Sequence, residues 1–166
     1  MSPTHLRFNF GYLLESPPGT SSDITIDYPK MRIEDVTLEP LTGQFTVTRT
    51  REGIYIGGRL QTNTPAECVR CLGDTIYPVD TEIAELFYYP ASTAQEGEYC
   101  IDDDAVANLG PLVRELALLA LPIQVLCRED CAGLCGECGH NLNEGACDCE
   151  IDDIDPRLAA LKQLLN

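Results

Sequence analysis

Basic side chains are scarce in this sequence. Its 166 residues include 11 lysines and arginines against 27 aspartates and glutamates, which gives a formal net charge of −16. Residues 1–66 have a net charge of −1, whereas residues 67–166 carry 5 basic and 20 acidic side chains, a net charge of −15. Because proteins bind phosphate backbones through clustered lysines and arginines, the composition disfavours broad nucleic-acid binding. It favours a basic protein as the partner.

Long hydrophobic runs are also absent. No run approaches the roughly 18 to 20 apolar residues of a membrane helix. The first residues lack a basic stretch followed by an apolar core, the pattern of a signal peptide. We therefore expect a cytoplasmic protein with no membrane partner. A length of 166 residues with 44% hydrophobic residues suits one domain, or one domain with a small appendage.

The residue pattern predicts an α+β fold. Period-two alternation over the first 90 residues predicts a bent antiparallel β-sheet of five or six strands, with the last strand broken or bulged near Pro78. One long helix, from about Ala105 to Leu121, is expected to pack on this sheet. Residues 1–126 would form this core. Residues 127–166 would form a zinc-ribbon-like cysteine-rich segment, with a short helix that is capped by Asp155, begins at Pro156 and packs on the core.

Nine cysteines in a chain without an export signal indicate metal binding rather than disulfides. Eight of them form four close pairs, and Cys100 stands alone: Cys68/Cys71, Cys127/Cys131, Cys135/Cys138 and Cys147/Cys149. Tetrahedral zinc takes four such ligands, commonly as two close pairs. CGECG at 135–139 is typical of a zinc knuckle, a tight turn with two thiolates, and the glycine after the second cysteine lets the backbone amides point at the sulfurs. CVRCLG at 68–73 has the same form, but Gly73 lies two residues after the second cysteine. Two structural sites are expected, with zinc the default over iron.

The four pairs can combine into sites in three ways. A short loop has a low closure entropy, which favours one site from the pairs that begin at Cys135 and Cys147. The other site would then join the pairs that begin at Cys68 and Cys127. The main rival is a crossed arrangement in which the two knuckles share a metal.

Several residues allow two interpretations. His140 either replaces a cysteine ligand or is a solvated loop histidine, and His5 is expected to be structural. Cys100 is expected to be a bystander thiol. Arg49, Arg51 and Arg59 are either an RNA-facing patch or part of a solvated strand face.

Catalytic motifs are missing, so no enzyme is expected. The sequence has neither a glycine-rich phosphate loop nor HExxH. A catalytic zinc keeps an open position beside three protein ligands, whereas these cysteines form complete sets of four. A thiol-redox or metal-handling protein, in which the CxxC pairs are the functional groups, is the alternative. A zinc-ribbon nucleic-acid module is a third class, which the shortage of basic residues near the knuckles disfavours.

These motifs together resemble the YceD family, the large ribosomal RNA subunit accumulation proteins. The matching elements are AECVRCL at 66–72, the helix ending in LALPIQVLC, the segment DCAGLCGECGHNLNEGACDC and the tail DPRLAALKQLL. The resemblance is to the cysteine-rich branch of the family. It implies a non-enzymatic role in bacterial ribosome biogenesis, namely 23S rRNA accumulation and large-subunit assembly. A basic ribosomal protein or a large-subunit precursor is the expected partner of the acidic surface.

Overall fold

The computed structural model describes residues 6–149, and most of this backbone is β-structure. The elements in chain order are β1 (Arg7–Asn9), α1 (Gly11–Leu14), β2 (Ser21–Tyr28), β3 (Met31–Ile33), β4 (Val36–Leu38), β5 (Leu41–Arg49), β6 (Gly53–Glu67), β7 (Asp74–Tyr88), β8 (Val106–Asn108) and α2 (Gly110–Leu119). A short 3-10 turn, Ala91–Thr93, follows β7. None of the helices within 6–149 is long and apolar enough to cross a membrane.

The main sheet is antiparallel and has the strand order β2-β5-β6-β7. The predicted antiparallel sheet is thus confirmed, with four strands in the main sheet; β1 pairs with β8 and β3 with β4 outside it. β6 and β7 each have 15 residues and pair along their whole length, ending with Glu67 opposite Asp74. β5 accompanies β6 only as far as Leu41 opposite Thr62. The far end of the β6–β7 hairpin therefore extends beyond the other strands.

One face of this sheet forms the hydrophobic core. Along β5, Phe45 and Val47 are buried, whereas Gln44 and Thr46 on the opposite face are exposed. The buried side chains of the sheet include Leu41, Phe45, Val47, Ile54, Ile56, Leu60, Ile83 and Phe87. Burying each such side chain stabilises the fold by roughly 1.5–3 kcal/mol. The apolar residues of the period-two pattern along β5 are therefore the ones that point into the core.

The prediction of one long helix from about Ala105 to Leu121 was wrong. α2 is a ten-residue helix, Gly110–Leu119, because the preceding residues Val106–Asn108 form β8 and pair with β1. A left-handed φ of 61° at Ala105 also interrupts any helix that would start there. The sequence pattern did not reveal β8 because its partner strand lies about a hundred positions away.

α2 packs through its apolar side. Leu112, Val113 and Ala117 are buried and belong to the main hydrophobic cluster. Leu119, the last residue of the helix, is 72% exposed. The packed surface is therefore shorter than the sequence indicated.

Pro78 does not interrupt β7, so the predicted break was wrong. The strand is continuous, with Pro78 opposite Asn63. β7 is the last strand of the sheet, and an edge strand tolerates a residue that has no N–H group.

The chain after α2 carries most of the cysteines but no regular strand or helix within residues 120–149. The predicted terminal helix, from Asp155 onward, lies outside the described residues. The division of the chain at residue 126 stays a prediction.

Candidate metal centres

The structure brings the eight paired cysteines together as two groups of four. Tetrad 1 is Cys68, Cys71, Cys127 and Cys131, and tetrad 2 is Cys135, Cys138, Cys147 and Cys149. Within each tetrad all four ligand atoms lie within 4.8 Å of one another. These are the two sets that short loop closure favours, and they differ from the crossed arrangement of the two knuckles.

Tetrad 1 forms where the loop between β6 and β7 meets the chain that follows α2. The Sγ atoms of Cys68 and Cys131 are 3.8 Å apart, and those of Cys71 and Cys127 are 3.7 Å apart. A tetrahedron of sulfurs at the usual Zn–S distance of about 2.3 Å has edges of about 3.8 Å. The spacing in tetrad 1 therefore fits four thiolates around one zinc ion.

The knuckle of tetrad 1 is a tight turn closed by two backbone hydrogen bonds. The Cys68 amide donates to the Gly73 carbonyl at 2.9 Å, and the Leu72 amide donates to the Cys68 carbonyl at 2.9 Å. The residue with the left-handed conformation is Leu72, with φ 55°, and Gly73 does not have a positive φ. The glycine that the sequence analysis singled out is therefore not the residue that curls the backbone.

The knuckle of tetrad 2 has the same backbone pattern. The Cys135 amide donates to the His140 carbonyl at 2.8 Å, and the Gly139 amide donates to the Cys135 carbonyl at 2.9 Å. Gly139 has φ 71° and occupies the position that Leu72 occupies in tetrad 1. Here the left-handed residue is a glycine, which adopts this conformation without steric cost.

Each knuckle stabilises its first sulfur as a thiolate. The backbone amide of Cys71 hydrogen-bonds the Cys68 sulfur and, with neighbouring amides, lowers the pKa of Cys68 to about 6. The backbone amide of Cys138 acts in the same way and, with other donors, lowers the pKa of Cys135 to about 6. Hydrogen bonds to the charged form are a general cause of such shifts.

Cys127 in tetrad 1 and Cys149 in tetrad 2 resist ionisation in the absence of a cation. Desolvation and hydrogen bonding to Cys131 raise the pKa of Cys127 to about 12. Hydrogen bonding to Cys138, followed by desolvation, raises the pKa of Cys149 to about 12. Four thiolates at this spacing repel one another, so the fully ionised tetrad needs a divalent cation, whose binding releases the thiol protons.

Two backbone hydrogen bonds and one from the Arg70 side chain hold the two halves of tetrad 1 together. The Val69 amide donates to the Val125 carbonyl at 2.9 Å, and the Leu134 amide donates to the Arg70 carbonyl at 3.1 Å. The Arg70 guanidinium donates to the Cys131 carbonyl at 2.9 Å. The cysteine-rich segment is therefore fixed to the end of the β6–β7 hairpin by peptide groups as well as by sulfurs.

Asn143 is a site residue that the sequence analysis did not identify. Its Nδ2 donates to the Sγ of Cys131 at 3.4 Å and to the Oδ1 of Asn141 at 2.7 Å. Its Oδ1 accepts hydrogen bonds from the Ala132 amide at 2.9 Å and from the Arg128 guanidinium at 2.7 Å. The sequence shows an uncharged amide side chain within a cysteine-rich loop. It does not show which sulfur this amide contacts.

The contact from Asn143 acts on the ligand itself. Burial opposes ionisation of Cys131, yet the hydrogen bonds from Asn143 and from the Gly133 amide hold the pKa of Cys131 below the ordinary thiol value. Hydrogen bonds of this kind orient metal ligands and tune the metal that they bind.

Cys100 and His140 lie outside both tetrads. Cys100 contacts the Glu98 carbonyl at 3.6 Å. The His140 carbonyl closes the second knuckle, but its imidazole is not part of either group of four. His5 lies outside the described residues.

Two of the three arginines of the possible RNA-facing patch are engaged within the protein. Arg59 makes two hydrogen bonds to the Asp80 carboxylate, at 2.6 and 2.9 Å. Arg49 donates to the Gly53 carbonyl at 2.9 Å, while Arg51 is exposed. Arg49 and Arg51 lie at the β5–β6 end of β6, opposite the end that carries tetrad 1.

Comparison with known families places this arrangement in context. The model of a family described as "Large ribosomal RNA subunit accumulation protein YceD" matches residues 56–165, a span that includes all eight tetrad cysteines. The chain belongs to the YceD family.

Curated relatives of this YceD-family chain occur in several bacteria. An uncharacterized protein of Mycobacterium tuberculosis (Rv2926c) is 34% identical over 123 residues, which are 72% of this chain and 59% of that protein. One from Mycobacterium leprae (ML1660) is 31% identical over 145 residues, 82% of this chain and 65% of the relative. The uncharacterized protein YlbN of Bacillus subtilis is 31% identical over 100 residues, 59% of this chain and 58% of YlbN. The chain thus spans less than two thirds of the length of these relatives. No solved structure matches it.

Proposed function

We propose that this protein is a non-enzymatic ribosome biogenesis factor of the bacterial cytoplasm that supports 23S rRNA accumulation and large-subunit assembly. The observation that carries the proposal is the family match over residues 56–165. The matched residues include both cysteine tetrads, so the part of the chain shared with the family is the part built around them.

We further propose that each tetrad holds one structural zinc ion within a zinc-ribbon-like segment. Both donor sets consist of four sulfurs, and soft thiolate ligands in a complete set of four are typical of closed, structural zinc sites. A closed site leaves no position for a catalytic water. The metal therefore has a structural role. In tetrad 1 it would hold the segment after α2 on the β6–β7 hairpin, and in tetrad 2 it would close a loop within that segment.

The proposed partner is a basic ribosomal protein or a large-subunit precursor, bound through the acidic part of the chain. The three arginines between residues 67 and 149 all make internal hydrogen bonds: Arg70 to Cys131, Arg114 to Asp35 and Arg128 to Asn143. The acidic side chains Asp74, Glu129 and Glu137 are exposed. The surface near the tetrads therefore presents carboxylates, while the nearby guanidinium groups are engaged.

This proposal is tested by affinity capture with the zinc-loaded full chain at physiological salt. Capture of ribosomal proteins or large-subunit precursors is the expected result. The variant Asp74→Asn/Glu129→Gln/Glu137→Gln should capture less, whereas the charge-matched control Glu15→Gln/Asp27→Asn/Glu52→Gln, in the nearly neutral first part, should not. Recovery of naked 23S rRNA without ribosomal protein would contradict the proposal.

The alternative is a thiol-redox or metal-handling protein. A reactive cysteine combines a low pKa with exposure, and the thiols with a pKa of about 6, Cys68 and Cys135, are buried. Cys127 is exposed, but its pKa is raised to about 12. No one of these three thiols combines a low pKa with exposure, which favours a structural role for the cysteines. Rapid zinc release with disulfide formation under mild oxidation would favour the alternative instead.

A further inference from the structure

Asn143 belongs to the loop of one tetrad and contacts a sulfur of the other. In the chain it lies between Cys138 and Cys147, two members of tetrad 2. In space its Nδ2 is 3.4 Å from the Sγ of Cys131, a buried member of tetrad 1. The side chain therefore connects two sites that share no ligand.

The hydrogen bonds of Asn143 fix the orientation of its amide. Its oxygen faces two donors, the Ala132 amide and the Arg128 guanidinium. Its nitrogen faces two acceptors, the Asn141 Oδ1 and the Cys131 sulfur. Turning the amide over would place donor against donor and acceptor against acceptor. The N–H group is thus held toward the sulfur.

The position of Asn143 depends on the loop that tetrad 2 closes. Cys138 and Cys147 flank residues 139–146 and would bind the same metal ion. Between them, the Leu142 amide donates to the Gly133 carbonyl at 2.9 Å, and Asn141 forms an antiparallel bridge with Leu134. Fixing a residue's backbone costs about 1–2 kcal/mol, so ordering the eight residues of this loop costs on the order of 8–16 kcal/mol, which its hydrogen bonds offset only in part. A metal ion in tetrad 2 supplies the closure.

We propose that metal binding at tetrad 2 strengthens metal binding at tetrad 1, and that Asn143 is the positioning residue that couples the two sites. This inference rests on the proposed binding of zinc by both tetrads. Metal in tetrad 2 orders the loop, and the ordered loop presents the Asn143 N–H group to the Cys131 thiolate. Loss of such an outer hydrogen bond typically lowers metal affinity 10- to 100-fold.

The test is zinc affinity measured by competition with a chromogenic chelator on the full chain. Disabling tetrad 2 with Cys138→Ser/Cys149→Ser should lower the zinc affinity of tetrad 1 by about 10- to 100-fold. Asn143→Asp, with tetrad 2 intact, should lower it to a similar extent, because the carboxylate keeps the accepting oxygen but has no N–H group for the sulfur. Combining the changes should cause no further loss, since the loop is then no longer held against Cys131.

Two controls separate coupling from general damage. His140→Ala changes a side chain of the same loop that belongs to neither tetrad, and it should leave both zinc affinities unchanged. Because linkage is reciprocal, disabling tetrad 1 with Cys68→Ser/Cys71→Ser should lower the affinity of tetrad 2 by the same factor. Tetrahedral Co²⁺ spectra of each variant show whether the remaining tetrad still binds with four sulfurs.

Two results would overturn the inference while leaving zinc binding intact. In the first, the wild-type chain binds two zinc ions and disabling tetrad 2 leaves the affinity of tetrad 1 unchanged. In the second, Asn143→Asp lowers that affinity equally whether tetrad 2 is intact or disabled. A wild-type chain that binds no zinc would contradict the proposed metal binding itself, and the coupling with it.

Discussion

Gly133 offers a direct test of how the cysteine-rich segment meets the β6–β7 hairpin. It has φ 79° and is buried. A Cβ atom added there would lie 3.1 Å from the Arg70 carbonyl oxygen and 3.4 Å from the Arg70 Cβ. Gly133→Ala therefore forces a left-handed alanine and a displaced contact at the same time.

Two other glycines of the same segment separate these effects. Gly139 has φ 71° with no atom within 4 Å of an added Cβ, and Gly136 has equally open space without a positive φ. Gly139→Ala thus reports the backbone conformation alone, and Gly136→Ala reports the change in unfolded-state entropy.

The three substitutions should follow a definite order. Gly136→Ala should be neutral or stabilising by about 0.4–1 kcal/mol, since alanine restricts the unfolded chain. Gly139→Ala adds the left-handed penalty of about 1–2 kcal/mol and should be destabilising by about 1 kcal/mol. Gly133→Ala adds overpacking, typically about 1–3 kcal/mol, and should destabilise by about 2–4 kcal/mol.

The first assay is urea unfolding at one fixed excess of zinc, because bound ligand shifts apparent stability. The second measures the rate of zinc transfer to a chelator. Gly133→Ala should release zinc from tetrad 1 faster, since it displaces the chain between Cys131 and Leu134. Equal free energies of unfolding for Gly133→Ala and Gly139→Ala would refute the close approach of Gly133 to Arg70.

Three further predictions concern the same region. Leu72→Gly should raise the free energy of unfolding in urea by up to about 1 kcal/mol, because it removes a left-handed leucine that is 58% exposed. A lower free energy of unfolding would show that the leucine side chain makes a compensating contact. Cys71→Ser should reduce the zinc content by one ion per chain in elemental analysis, whereas Cys100→Ser should leave it unchanged, and equal losses would place Cys100 among the ligands. Chelation of the metal should abolish amide-exchange protection in residues 125–149, whereas strands β5 and β6 should stay protected around Phe45 and Ile56. A uniform loss of protection would show that the sheet also depends on the metal.

The strands and the cysteine groups could be predicted because each depends on a short-range pattern. Alternation of Phe45 and Val47 with polar neighbours is visible within a few residues, and a buried sheet face requires it. CxxC pairs are equally local, and the length of chain between pairs favours the combination that the structure has. Tetrad 1 joins cysteines 56 and 63 positions apart, and it could be predicted only because the two nearby pairs form tetrad 2.

Other features depend on contacts between distant parts of the chain. Val106–Asn108 form a strand only because β1 lies beside them, so the helical pattern that continues through them was misleading. The break expected at Pro78 was wrong because only the order of strands shows that β7 is an edge. Leu72 adopts a left-handed conformation because the knuckle requires it, although leucine disfavours it.

Several buried residues of the described chain lie outside the main hydrophobic cluster. The main hydrophobic cluster runs through the sheet, α1 and α2, but it does not include Val79 and Val125 or the buried cysteines of the tetrads. At the far end of the β6–β7 hairpin the buried side chains include Thr62 and Thr64, which contribute little hydrophobic stabilisation.

A segment with so few buried apolar residues cannot balance its own conformational entropy. Metal–thiolate bonds can supply the missing free energy, since structural zinc contributes directly to folding. Two four-thiolate zinc sites would also change the formal charge from −16 to −20, because each adds four negative and two positive charges. Metal binding would therefore make this end of the molecule more acidic, which is the property that the proposed basic partner would recognise.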